Sequence, residues 1–156
     1  DNTRYNARIA AMNYAMEHDD GQSLRDLAKA ELILIAPSRC GKTPTSLYMA
    51  LQYGVFATNY PLIAEDLEAG RLPDVLKQNP TKLFGLTSDP ERLSQVRSER
   101  RPGSQYASLA QCAFELRQAE AMYRKHQIPF LNSANMSIEE MTTLIMQEKA
   151  LRKTLF

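Results

Sequence analysis

The residues Ala36-Pro37-Ser38-Arg39-Cys40-Gly41-Lys42-Thr43 follow an apolar run and end in Gly-Lys-Thr, the spacing of a phosphate-binding loop. Such chemistry needs backbone N–H groups converging on an anion, a flexible ammonium that follows the phosphate, and a hydroxyl that holds Mg²⁺. Here the loop supplies the amides, Lys42 the ammonium and Thr43 the hydroxyl. A helix starting at the loop adds the positive end of its dipole. The usual pattern opens on Gly, whereas this chain has Ala36 followed by Pro37, which pushes Ala36 toward extended geometry and predicts a stiff entry into the loop. Arg39 is placed either to contact a phosphate oxygen or to face solvent.

Further candidates for chemistry are weaker. Asp19 and Asp20 sit in the turn His18-Asp19-Asp20-Gly21, where one of them would act as the base that orients an acceptor hydroxyl or as a metal ligand. A turn and helix-capping pair explains them equally well. His18 beside them is either a proton shuttle or a surface residue. Asp89, after a predicted strand, stands where a Walker B carboxylate would, but Pro90 and Glu91 make it a helix N-cap. Arg97, Arg100 and Arg101 group three guanidinium groups on one helix face, to grip a phosphorylated protein or to form a solvated basic surface. Tyr48, Met49 and Tyr53 read as core or near-core residues.

The elements that must position the loop follow from periodicity and punctuation. Residues 5–17 carry Ile9, Met12 and Met16 at helical spacing and predict an amphipathic helix, followed by a short helix over 24–30. Residues 31–35 read as a buried strand and 45–51 as a helix, with Gly54 as its stop. A second strand is expected over 55–58, broken by Asn59-Tyr60-Pro61, then short helical pieces over 63–78 and a third strand over 82–87. The helix opened by Asp89-Pro90 closes at 101–103, and a longer one runs over 107–126 with Leu109, Cys112, Ala113, Leu116 and Tyr123 on one side. A fourth strand at 128–132 precedes a helix that opens with the capping box Ser137/Glu140. Strands alternating with helices predict an α/β fold with a mainly parallel sheet flanked by helices, P-loop kinase-like, with ligands at the carboxyl ends of the strands.

Composition agrees with one globular domain: 156 residues, 44% hydrophobic, net charge +1. No apolar run is long enough for a bilayer and no leader pattern opens the chain, so a soluble cytoplasmic protein is expected. Near-neutral charge argues against general nucleic-acid binding, and Cys40 and Cys112 are expected reduced. The start at Asp1 suggests a fragment. The oligomeric state stays open, homo-oligomers included.

Several segments together point further: Tyr14 with residues 18–21, Ser38-Arg39-Cys40-Gly41-Lys42-Thr43-Pro44-Thr45-Ser46-Leu47-Tyr48, Ala57-Thr58-Asn59-Tyr60-Pro61-Leu62, Leu83-Phe84-Gly85-Leu86-Thr87, and Ile128-Pro129-Phe130-Leu131-Asn132-Ser133. With them the chain resembles the phosphoenolpyruvate synthase regulatory protein family, whose plant-type relatives act on pyruvate, phosphate dikinase. The resemblance covers essentially the whole chain, and the Lys-Thr-Pro-Thr-Ser continuation carries it more specifically than Gly-Lys-Thr alone. It implies a kinase/phosphorylase domain over residues 1–156 that lacks the family's N-terminal region. It also implies a bifunctional regulator that uses ADP to phosphorylate a threonine of phosphoenolpyruvate synthase, and inorganic phosphate to remove that group with release of pyrophosphate. The nucleotide segment, by likeness, is residues 36–43. Choice of ADP over ATP comes from the resemblance alone. A small-molecule P-loop kinase and a non-catalytic nucleotide-binding fragment stand as alternatives, whereas the absence of an Asn-Lys-x-Asp motif counts against a GTPase switch.

Overall fold

A computed structural model describes residues 2–17 and 27–150. Its element order is α1 (Asn2–Glu17), β1 (Leu32–Ala36), α2 (Lys42–Tyr53), β2 (Ala57–Pro61), α3 (Ala64–Ala69), α4 (Asp74–Lys77), β3 (Leu83–Thr87), α5 (Pro90–Arg100), α6 (Leu109–Lys125), β4 (Phe130–Asn132) and α7 (Ile138–Lys149). The strands form one sheet in the order β2-β1-β3-β4, every pair parallel. The predicted α/β class with its parallel sheet is therefore what the chain adopts.

Strands β1 and β3 are central and buried at every position, which is why they read as continuous apolar runs rather than alternating ones. Leu32, Leu34 and Ala36 pack with Phe84 and Leu86 under Met49, Leu93, Met141 and Ile145. Ile33, Ile35 and Leu83 face the opposite layer of Leu62, Leu67, Leu76, Met122 and Tyr123. Within residues 63–78, Leu67, Leu72 and Leu76 close one face of the sheet.

Three expectations are corrected. The second strand continues through Asn59-Tyr60-Pro61, paired with β1 as far as Ala36 opposite Pro61. This is tolerated because β2 is an edge strand and Pro61 ends it, so the missing N–H falls where the ladder finishes. In α1, Ile9 and Met16 are exposed, and the buried residues are Ala11, Tyr14 and Ala15; small side chains let the helix lie close on Ala50 of α2. The short helix of 24–30 is, within the described residues, a single 3₁₀ turn over Leu27–Lys29. At α7 both halves of the Ser137/Glu140 capping box are present as expected. No helix of the described residues is long and apolar enough to cross a membrane.

Gly85 in β3 has a specific packing role. A Cβ there would stand 2.7 Å from the Tyr123 ring. Its absence lets the Tyr123 hydroxyl reach the Ile35 and Leu86 carbonyls, at 3.0 and 2.9 Å, so one buried proton is shared between the ends of β1 and β3. Burial pushes the Tyr123 phenol well above its ordinary pKa, so it stays a donor. Gly85→Ala is expected to lower stability by ~1–3 kcal/mol through overpacking. Urea unfolding checks this, and an unchanged midpoint would remove the contact from the account.

Candidate functional site

The parallel sheet brings the carboxyl ends of all four strands to one edge, and β1 lies where the chain order reverses, with β2 on one side and β3 on the other. Such a switch point leaves a crevice above the strand. Residues 37–41 leave β1 there. Ala36 finishes the strand with ordinary extended backbone, and the left-handed conformations fall later, at Arg39 (φ 73°) and Gly41 (φ 96°). The Gly position of the usual motif therefore needs no Gly here. The alternation of φ sign across Arg39-Cys40-Gly41 is of the kind that turns successive N–H groups to one side.

Gly41 is the N-cap of α2, with no side-chain cap and no acidic residue in the first turn. Pro44 occupies that turn, where a missing N–H removes an orphan donor rather than a helix bond. The positive helix end thus opens uncapped and uncompensated onto a cavity of about 520 Å³. Residues 38, 39 and 41–44 line one side of it, and Pro61, Val96 and Arg100 the other. Its charged lining is Arg39, Lys42 and Arg100, with no carboxylate. Lys42 is only 4% exposed, and its Nζ donates to the Pro37 carbonyl at 3.2 Å, arching back over the loop. Thr43 is half-buried in the first turn. Asn59 donates to the Ser46 Oγ at 3.2 Å, and Ser46 donates to the Thr43 carbonyl at 3.0 Å, tying β2 to the start of the helix.

Beneath the loop lies an arrangement that the sequence reading did not find. Arg97, expected on a basic surface, is fully buried. Its Nε and Nη2 donate to the Ser38 carbonyl at 3.3 and 3.1 Å, Nη1 donates to the Tyr106 carbonyl at 2.9 Å, and Nη2 pairs with Glu115 at 2.8 Å. The guanidinium lies 4.2 Å from the centre of the Tyr106 ring, whose hydroxyl is 2.6 Å from the Ser38 Oγ. Burial opposes the charge on Arg97, yet the bonded Glu115 carboxylate outweighs it and holds the pKa above its ordinary value. Glu115 carries the signal that was available: a carboxylate flanked by Cys112 and Leu116 on an apolar helix face demands a buried cation. Arg100 instead reaches the cavity, and Arg101 is exposed beside the Tyr106 ring.

Asp89 takes the N-cap position of α5, as expected, but its carboxylate makes no cap bond. Asn132, the last residue of β4, donates to it at 2.9 Å, and Asn135 in the following loop at 3.5 Å. His18, Asp19 and Asp20 lie outside the described residues. Cys40 and Cys112 are buried and free. Burial pushes the Cys40 thiol up to about 11, against the opposing pull of Lys42 and Arg97. Ser133 Oγ lies 2.9 Å from the Cys40 carbonyl and 3.1 Å from that of Thr87, joining the loop to the exit of β3.

Against known proteins, a family model described as kinase/pyrophosphorylase matches residues 2–146. The chain is 54% identical over 153 residues to a putative phosphoenolpyruvate synthase regulatory protein of Burkholderia vietnamiensis, covering 98% of this chain and 56% of that protein. It is 55% identical to phosphoenolpyruvate synthase regulatory proteins of Salmonella paratyphi B and Salmonella newport, with 98% of this chain and 55% of each covered. The chain spans about half the length of the curated relatives it matches.

Two outcomes follow from the buried charges. Arg97→Ala leaves Glu115 buried without its cation and is expected to cost ~3–5 kcal/mol, whereas Arg97→Met with Glu115→Leu recovers most of that stability; thermal unfolding of both variants checks the pair. With a thiol pKa near 11 instead of 9.0, Cys40 holds about 100-fold less thiolate than an ordinary cysteine near pH 8. Iodoacetamide should label it readily in urea and hardly at all in the native protein. Because folding suppresses this ionisation, the associated stability is intact below pH 9.0 and declines as pH rises through about 11.

Proposed function

The chain belongs to the kinase/pyrophosphorylase family, and on that premise we propose that it is the nucleotide-binding kinase/phosphorylase domain of a cytoplasmic protein that regulates phosphoenolpyruvate synthase. In the forward direction ADP binds with its phosphates in the loop 36–43, and the β-phosphate passes to a threonine of the synthase. The bond from the β-phosphorus to the bridging oxygen breaks, a threonine O–P bond forms, and AMP leaves. In the reverse direction an oxygen of inorganic phosphate attacks the phosphothreonine, the threonine hydroxyl leaves, and pyrophosphate is released.

The observation that carries this reading is the cavity at the uncapped end of α2, lined by Arg39, Lys42 and Arg100 with no carboxylate. A transferring phosphoryl group keeps its charge on peripheral oxygens, so fixed amides and cations around it serve both directions equally. Lys42 is held near the loop by the Pro37 carbonyl and swings from it to the phosphate. Asp19 or Asp20 is the proposed base that takes the threonine proton. Thr43, in the first turn and on the cavity wall, suits a hydroxyl ligand to Mg²⁺. Bound there, Mg²⁺ would supply neutralisation of phosphate charge. The synthase as partner rests on the names of the Salmonella and Burkholderia relatives.

Incubation of the protein with ADP and the phosphohistidine form of the synthase, followed by mapping of phosphothreonine, tests the reading. Transfer from ATP to a metabolite with none to the synthase would sink it. Lys42→Ala is expected to lower both transfer and phosphate-dependent removal by at least about 100-fold with the melting temperature preserved. Either activity surviving at the normal rate contradicts a shared cradle.

A further inference from the structure

Two hydroxyl groups far apart in sequence meet at the edge of the phosphate cavity. Ser38 Oγ, on the loop after β1, lies 2.6 Å from the hydroxyl of Tyr106, on the connection between α5 and α6. Ser38 is half-buried and lines the cavity, whereas Tyr106 is absent from its walls, so of the pair only the serine borders the ligand space. One guanidinium fixes the backbone under both. Arg97 donates to the Ser38 carbonyl through Nε and Nη2 and to the Tyr106 carbonyl through Nη1, and its Cζ lies 4.2 Å from the centre of the Tyr106 ring. The exposed Arg101 stands 5.6 Å from the same ring. A ring held by its own carbonyl and across its face has little freedom to swing, so its hydroxyl is delivered to one place.

The direction of the bond between the hydroxyls decides what Ser38 is able to do. Each has one proton to give and lone pairs to accept with. A phenol donates more readily than an alkyl hydroxyl and accepts less readily, so the bond runs from Tyr106 to Ser38 and the serine keeps its own proton. Among the described residues Tyr106 is the only hydrogen-bond partner of the Ser38 side chain. The cavity that the serine borders carries the charges of Arg39, Lys42 and Arg100 without a carboxylate, and the acceptor that suits the remaining proton is an oxygen of a bound anion. Donation from the phenol polarises the serine O–H and strengthens the bond it then makes.

We infer that Tyr106 is a positioning residue for the phosphate cradle: its hydroxyl donates to Ser38 Oγ and so turns the Ser38 proton toward a phosphate oxygen. The pair adds one neutral donor to the loop amides and Lys42. This rests on the reading of residues 36–43 as the cradle and deepens it with a donor that the Gly-Lys-Thr pattern does not include.

Calorimetric titration with inorganic pyrophosphate, on wild-type protein, Tyr106→Phe, Ser38→Ala and the double variant, tests the assignment. Tyr106→Phe keeps the ring on Arg97, and Ser38→Ala keeps the carbonyl that Arg97 holds, so each removes one hydroxyl; thermal melts are expected to stay near that of the wild type. Ser38→Ala is expected to weaken pyrophosphate about 10- to 100-fold, the worth of one hydrogen bond to a charged group. Tyr106→Phe leaves the serine present but unaimed and should weaken it about 3- to 10-fold. The double variant should bind no more weakly than Ser38→Ala alone, because the phenol acts only through the serine. A tether that merely holds the loop gives equal losses in the two single variants, and a general disturbance of the loop makes Tyr106→Phe as costly in the Ser38→Ala background as in the wild type. Either result, or wild-type affinity in either single variant, overturns the role of Tyr106 and leaves the cradle standing. If wild-type protein binds no pyrophosphate, the cradle falls and the donor pair with it.

Discussion

A guanidinium sealed from water is the constraint on which the site depends. Arg97 keeps its charge inside the protein only because Glu115, two backbone carbonyls and the face of Tyr106 surround it. One of those carbonyls belongs to Ser38, in the loop between β1 and α2. Loop shape and the packing of α5 on α6 are consequently one cooperative unit: the loop cannot relax without stripping a buried cation of an acceptor. Arg39 stays in a left-handed conformation that costs an L-residue about 1–2 kcal/mol because the neighbouring residues are fixed from below.

The strand ends supply the rest of the rigidity. Tyr123 bridges the carbonyls at the ends of β1 and β3, and Ser133 bridges the loop to the last residue of β3. Both tethers use a single hydroxyl between two acceptors, and both sit on the side of the sheet edge where ligand chemistry is expected. A platform made of strands and locked side chains holds cations to a tolerance that a free loop would not.

Much of this was legible before any coordinates. The alternation of strands with helices, the stop at Gly54 and the capping box at Ser137 each depend on local rules of period and backbone conformation, and each is present in the fold. What was not legible is non-local. Pro61 reads as a breaker until it is known to end an edge strand. Ile9 and Met16 outrank Ala11 and Ala15 in hydrophobicity, yet close approach to α2 selects the small residues for the buried face. Arg97 sits at surface-like spacing with Arg100 and Arg101, and only a partner 18 positions further on, Glu115, gives it a reason to be inside.

Ala36 carries a consequence for how such loops vary. With left-handed backbone confined to Arg39 and Gly41, the first position of the loop is plain strand, and a methyl group there is fully enclosed by the core. A glycine in its place would gain nothing in the folded protein while widening the conformational freedom of the denatured chain, a loss of about 0.4–1 kcal/mol. Tolerance at that position is thus set by the unfolded ensemble and by a methyl-sized gap.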